Sequence, residues 1–156
     1  MTKAKAKDFV AIAARYAGEV VSGKIPACQW TIKACRRQLD DLERAKSNDF
    51  PYRFDKRKAS RICEFIELLP HIKGEWAKAG ARIELQPWQV FILTTVFGWI
   101  RKDSGLRRFK TAYIEIPRKN GKSSLSSGVG IYCTCADGEA GADVYSAATT
   151  RDQAKI

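Results

Sequence analysis

Apolar residues recur at three- and four-residue spacing through the first seventy positions, and each run ends in a break. The spacing predicts a first helix over residues 7–22, ending near Ser22-Gly23 with Pro26 beyond it. A second is expected over about 27–46, on the stripe Cys28, Ile32, Cys35, Leu39 and Leu42, with Asp40, Asp41 and Glu43 facing outward. After the break Ser47-Asn-Asp-Phe-Pro51, a third covers about 55–69, with Ala59, Ile62, Cys63, Ile66 and Leu69 on one face. Pro70 stops it, because the residue before a proline is pushed out of the helical region. Residues 71–84 read as a connector with Gly74 and Gly80.

The pattern then changes. From Trp88 to Ile100 apolar residues crowd every side, which predicts a helix buried nearly all round, with Pro87 in its first turn. That run is too short to span a bilayer. Asp103-Ser-Gly105 closes it. Lys110 to Ile116 alternates Ala112, Ile114 and Ile116 with Thr111, Tyr113 and Glu115, the two-residue period of a strand. Ser123 to Ala136 is helical, with Leu125, Val129, Tyr132, Cys133 and Ala136 in register. A turn follows at 137–141, a second strand at 142–148, and another helix from Thr149.

The expected architecture is therefore α/β. A helical region over 1–84 leads into the start of a parallel sheet over 85–156, built as strand, loop, helix, turn, strand. Two parallel strands with one crossover leave faces that a parallel sheet must cover. This suggests an incomplete core with an exposed apolar edge and poor solubility.

Composition sharpens the picture. Lys and Arg number 28 against 17 Asp and Glu in 156 residues, a balance of +11 that favours polyanionic partners. The five cysteines include no C-x-x-C pair, and His71 is the one histidine, so zinc binding and histidine-based catalysis lose support. Cys28, Cys35 and Cys63 read as small buried groups, and the odd count suggests reduced thiols in an intracellular setting. The amino terminus has no apolar run of a signal peptide.

The candidate chemistry lies between the first strand and its helix, at Ile116-Pro-Arg-Lys-Asn-Gly-Lys-Ser123. A Gly-Lys-Ser turn opening a helix aims backbone N–H groups at phosphates, where the helix dipole also favours negative charge. Lysine adds a point charge for the β/γ-phosphates, and the serine hydroxyl can ligate Mg²⁺. The general pattern asks for a glycine where Ile116 stands. A basic, merely solvated and capping turn is the competing reading.

Several segments together resemble the large terminase subunit of tailed bacteriophages, the ATPase that drives DNA into the prohead. They are Tyr16 with Gly18-Glu-Val-Val21-x-Gly23-Lys-Ile25, Cys35-Arg-Arg37-x-Leu39, Phe65-Ile-Glu67 with His71-x-Lys73-Gly74, Leu85-Gln-Pro-Trp-Gln89, Phe97-Gly-Trp99, the loop itself, and Tyr145-x-Ala147-Ala148 with Arg151-Asp-Gln-Ala154. A missing first glycine is usual in that family.

The resemblance implies ATP and Mg²⁺ as cofactors. It assigns Lys122 to the β/γ-phosphates and Ser123 to Mg²⁺, with Lys119, Asn120, Gly121 and Ser124 wrapping the phosphates. Arg118 is the implied catalytic residue, sensing or stabilising the γ-phosphate, and Gln89 the adenine-reading glutamine. It also implies double-stranded DNA, a small terminase subunit and a portal or prohead as partners. A ring of full-length copies working in the cytoplasm of a bacterial host completes the expectation. The family's Walker B aspartate, catalytic glutamate and nuclease acids have no counterparts in these residues. Enzymatic activity of this chain stays open on that ground. A basic DNA-binding or assembly module, or a remnant of a split gene, are the alternatives.

Overall fold

A computed structural model describes residues 7–72, 74–138 and 141–147. It divides into two compact units, Met1–Cys63 with Leu85–Ala112, and Glu64–Glu84 with Tyr113–Ile156. The division is thus interleaved along the chain.

In the first unit, α1 (Phe9–Val21) opens on Asp8, whose carboxylate accepts the Ala11 N–H at 2.9 Å. Its buried face is Phe9, Ala13, Ala17 and Val20, and the two alanines allow close approach of α2 (Gln29–Arg44) and α5 (Pro87–Gly98). As expected, α5 is buried on most sides, holding Val90, Phe91, Leu93, Thr94, Thr95 and Phe97. The Thr94 hydroxyl donates to Val90 O at 2.8 Å, which removes the cost of burying it.

Two short strands were not expected. β1 (Tyr52–Phe54) pairs antiparallel with β2 (Trp99–Arg101), placing Phe54 opposite Trp99 and Tyr52 opposite Arg101. Gly98 lets them meet: a Cβ there would lie 2.5 Å from Phe54 Cε2 and 2.9 Å from Ala59 Cβ.

The outward placement of Asp41 is corrected. The buried residues of α2 are Cys35, Gln38 and Asp41, a face turned from the predicted stripe, while Cys28 is exposed. Partners distant in sequence explain the rotation. Gln38 Oε1 accepts from Trp99 Nε1 at 2.7 Å, and Arg108 Nη1 lies 2.7 Å from Asp41 Oδ2. The latter is an ion pair by distance, although its angle falls outside hydrogen-bond geometry.

In the second unit, the end of α3 (Lys56–Leu68) supplies Phe65 and Ile66. α6 (Lys122–Cys135) buries Leu125, Gly128 and Tyr132 on one stripe. Tyr132 meets Phe65 edge-on with ring centres 5.4 Å apart, and Gly128 leaves room for Ile66. The connector holds a one-and-a-half-turn helix, α4 (Gly74–Lys78), between bridged Pro70 and Arg82.

The expected strands at 110–116 and 142–148 are not formed among the described residues, and the sheet present is the antiparallel β1–β2 pair. Tyr113 and Tyr145 are 87% and 89% exposed. A strand is held by its neighbours, and alternation alone cannot supply them. Ala148 and the helix expected from Thr149 lie outside the described residues. No described helix is long and apolar enough to cross a membrane.

Candidate functional site

The second unit carries the cationic loop. Pro117 leads into a tight turn at Arg118 and Lys119, held by the Asn120 amide, which donates to Pro117 O at 3.3 Å and Arg118 O at 3.2 Å. Lys119 has φ 67°, the left-handed region that branched and bulky side chains avoid, and it is the non-glycine residue of the described chain found there. Gly121, with φ 70°, is the N-cap of α6, and its carbonyl accepts the Leu125 N–H at 2.9 Å. Glycine occupies that position without a Cβ penalty.

The helix start is chemically open. A first turn has N–H groups with no acceptor inside the helix, and Gly121 offers no side chain to cap them. Lys119 and Gly121, two apart, both take left-handed backbone directly before the helix. No acidic residue stands in the first turn of α6. Arg118, Lys119, Lys122, Ser123 and Ser124 are exposed. Among the described residues none of the three cations pairs with a carboxylate. The Ser123 carbonyl accepts from Ser127 Oγ at 2.9 Å, and Ser123 is exposed at the helix start.

Three like charges in five residues, one on a left-handed backbone, are unfavourable in isolation. An anion beside the turn would relieve both the repulsion and the unmet N–H groups. The donors present, backbone amides, ammonium, guanidinium and hydroxyl, fit a polyphosphate with an associated Mg²⁺.

Gln89 belongs to the first unit, at the third position of α5. It is buried, and its Oε1 accepts the Gln86 N–H at 2.8 Å. The Gln86 side chain accepts the Gln89 N–H in return, completing a reciprocal cap ahead of Pro87. The structure thus gives Gln89 a capping task beside any ligand role. Sequence reasoning overlooked Gln86, although glutamines three apart before an apolar run were a usable signal.

The described residues contain no group of three His, Cys, Asp or Glu side chains able to hold a metal. Cys28 is exposed, and its hydrogen bond with Thr31 holds the thiol below its usual range. Burial pushes the Cys35 thiol up to about 11.

The site is thus a helix start without a side-chain cap, behind a cationic turn with left-handed Lys119 and Gly121. Residues 87–156, from the first turn of α5 through this loop and beyond, match the family model of the terminase large subunit, ATPase domain. No curated protein matches the chain. No solved structure matches it either.

Proposed function

We propose that this chain is an ATP-binding portion of a terminase large subunit, with the nucleotide's phosphates held by Arg118 to Ser124. The observation that carries the proposal is the start of α6, uncapped at Gly121 and preceded by left-handed Lys119. There the first-turn N–H groups of Lys122, Ser123 and Ser124 face the phosphates, and Lys122 supplies charge to the β/γ-phosphates. Arg118 reaches the γ-phosphate, and Asn120 keeps the turn closed through its two carbonyl contacts. Bound Mg²⁺, on the Ser123 hydroxyl, would neutralise phosphate charge. Gln89 recognises adenine through its amide. In a complete motor, with partner strands alongside, the segments 110–116 and 142–148 would pair into a parallel sheet after a helical region over 1–84, which belongs to the same proposal.

Hydrolysis needs an acid beside the metal to hold it and polarise water. Arg118 to Ser124 holds only cationic, amide and hydroxyl groups, so the role proposed for the loop is binding. In a complete motor, ATP turnover would drive double-stranded DNA into a prohead. The partners would be a small terminase subunit, a portal and further copies in a ring, in the cytoplasm of a bacterial host.

The test is competition. Tripolyphosphate should displace a fluorescent ATP analogue, and adenosine should displace it poorly, because the phosphates carry the binding. Adenosine competing as well as ATP would remove the phosphate-loop reading.

A second surface favours nucleic acid. Trp30 is 70% exposed with Lys33 Nζ 4.8 Å from its ring centre, and exposed Arg36 and Arg37 follow on α2. Arg37 lies 5.1 Å from the Phe109 ring. Exposed cations interleaved with aromatic faces suit a sugar-phosphate backbone.

A further inference from the structure

We propose that the outward face of α2 binds an unpaired stretch of DNA, one base stacked on Trp30 and neighbouring phosphates on Lys33, Arg36 and Arg37. The proposal rests on the nucleic-acid reading of this surface and adds that the strand is single.

The charges of α2 divide along the helix. Near its end, Arg44 Nη1 lies 3.2 Å from Asp41 Oδ1, and just beyond it Lys46 pairs with Glu43. Toward its start, Lys33, Arg36 and Arg37 are exposed and, among the described residues, pair with no carboxylate. Asp40 stands four residues after Arg36, the spacing of a helical ion pair, and that pair is not made. Lys33 also repels both arginines, because residues three and four apart are neighbours on a helix. Cations that crowd one another beside an unused acid fit an external polyanion.

The aromatic rings narrow that polyanion to a nucleic acid. Trp30 is 70% exposed, and Lys33 Nζ, one turn on, lies 4.8 Å from its ring centre. A further turn on, Arg37 Cζ lies 5.1 Å from the centre of the half-buried Phe109 ring, with exposed Lys110 next in sequence. Each ring thus carries a cation, an interleaving of π-faces and charge that suits alternating bases and phosphates. An acidic peptide offers the charge without the planar faces. The first turn of α2 holds no acid and Cys28 makes no side-chain cap, so the positive end of the helix adds to the attraction.

The exposed indole separates one strand from two. In a duplex each base is stacked on its neighbours and shows a protein only its edge. A surface ring reaches a base face there by opening a step, which costs about as much as stacking on one ring returns. An unpaired base already offers its face. Lys33, Arg36 and Arg37 serve the phosphates of either form, so Trp30 carries the discrimination.

The experiment measures binding to the full chain by fluorescence anisotropy. The probes are labelled oligothymidylate, an abasic strand of the same length and charge, and a blunt duplex of several turns. Matched charge means that the first two differ only in their bases. The wild type should prefer thymidylate over the abasic strand roughly five- to a hundredfold. Trp30→Ala should bring that ratio within about twofold of unity and change duplex affinity by less than about twofold, because phosphate contacts remain. Its slope of log K against log salt should stay at the wild-type value, which reports that the cations are still in place. Trp30→Phe keeps a ring and should restore most of the ratio.

A full ratio in Trp30→Ala overturns the stacking. Equal affinity of the wild type for the thymidylate and abasic strands overturns it with no variant needed, and leaves the nucleic-acid reading of α2 standing. That underlying reading fails instead if replacing Lys33, Arg36 and Arg37 by serine changes the binding of no probe. An oligoglutamate of equal charge that displaces thymidylate as well as unlabelled thymidylate does would make an acidic protein the occupant. Oligouridylate bound about tenfold more tightly than thymidylate would make it RNA, and either result overturns the assignment to DNA.

Discussion

Trp99 Nε1 donates to Gln38 Oε1 at 2.7 Å, across 61 residues of chain, and the indole is fully buried. Around that bond stand Phe50 and Phe54, with ring centres 6.1 and 5.3 Å from Trp99. The Arg108 guanidinium lies 4.4 Å from the Tyr52 ring and within reach of buried Asp41. The first unit is thus pinned by polar contacts inside an aromatic wall.

Breaking these contacts from one side should be costly. Arg108→Met leaves the Asp41 carboxylate, only 3% exposed, with Arg44 alone at 3.2 Å. We expect a loss of about 3 kcal/mol in urea unfolding, because an uncompensated buried charge is expensive. Gln38→Leu should cost about 1–3 kcal/mol by orphaning the indole N–H.

Close packing at the strand pair predicts a backbone-side effect. Gly98→Ala drives a methyl into Phe54 and Ala59, and the Ala59 Cβ cannot swing away. Destabilisation of about 1–3 kcal/mol is expected, read from the unfolding midpoint. A neutral result would mean that β1 and β2 do not meet as described.

Thiol labelling should separate Cys28 from Cys35. Cys28 is exposed and its pKa lowered by Thr31, so it should react with a maleimide at neutral pH. Cys35 is buried with its pKa raised from 9.0 to about 11, so it should resist until the protein unfolds. The sign for stability follows. Between about pH 9 and 11 the unfolded thiol ionises while the folded one stays protonated, so the Cys35 contribution falls as pH rises through that window.

These partners mark what could and could not be read along the chain. Helices with local periodicity were legible: the extent of α1, the face of α3, the all-round burial of α5, and the start of α6. The role of Asp41 was not, because its neighbours on α2 suggest a solvated edge, and its partner Arg108 lies beyond α5. The strands of three residues, Tyr52–Phe54 and Trp99–Arg101, are too short to show a period, and the second reads as the tail of a buried helix. Conversely, 110–116 has strand periodicity without a strand to pair with among the described residues. The loop was legible because its chemistry is local, a run of cations meeting a glycine at a helix start. Its left-handed Lys119 carries no signal in residue type.

The α2 surface predicts salt-dependent DNA binding that is independent of the loop. Replacing Lys33, Arg36 and Arg37 by serine should flatten the slope of log K against log salt by roughly two to three, about one for each phosphate no longer neutralised. Lys122→Ala should leave that slope nearly unchanged. An unchanged slope in the triple variant would move the DNA-binding surface away from α2.

The central claim is that the turn before α6 is a phosphate site. Its most direct test is the affinity of a non-hydrolysable ATP analogue with Mg²⁺ for the wild type and for Lys122→Ala. Lys122 is exposed and lies at the helix start without an acidic partner, so its removal should leave the fold intact. Measurable binding by the wild type, weakened roughly tenfold or more in Lys122→Ala, is the predicted result. Equal affinities in the two proteins would contradict it.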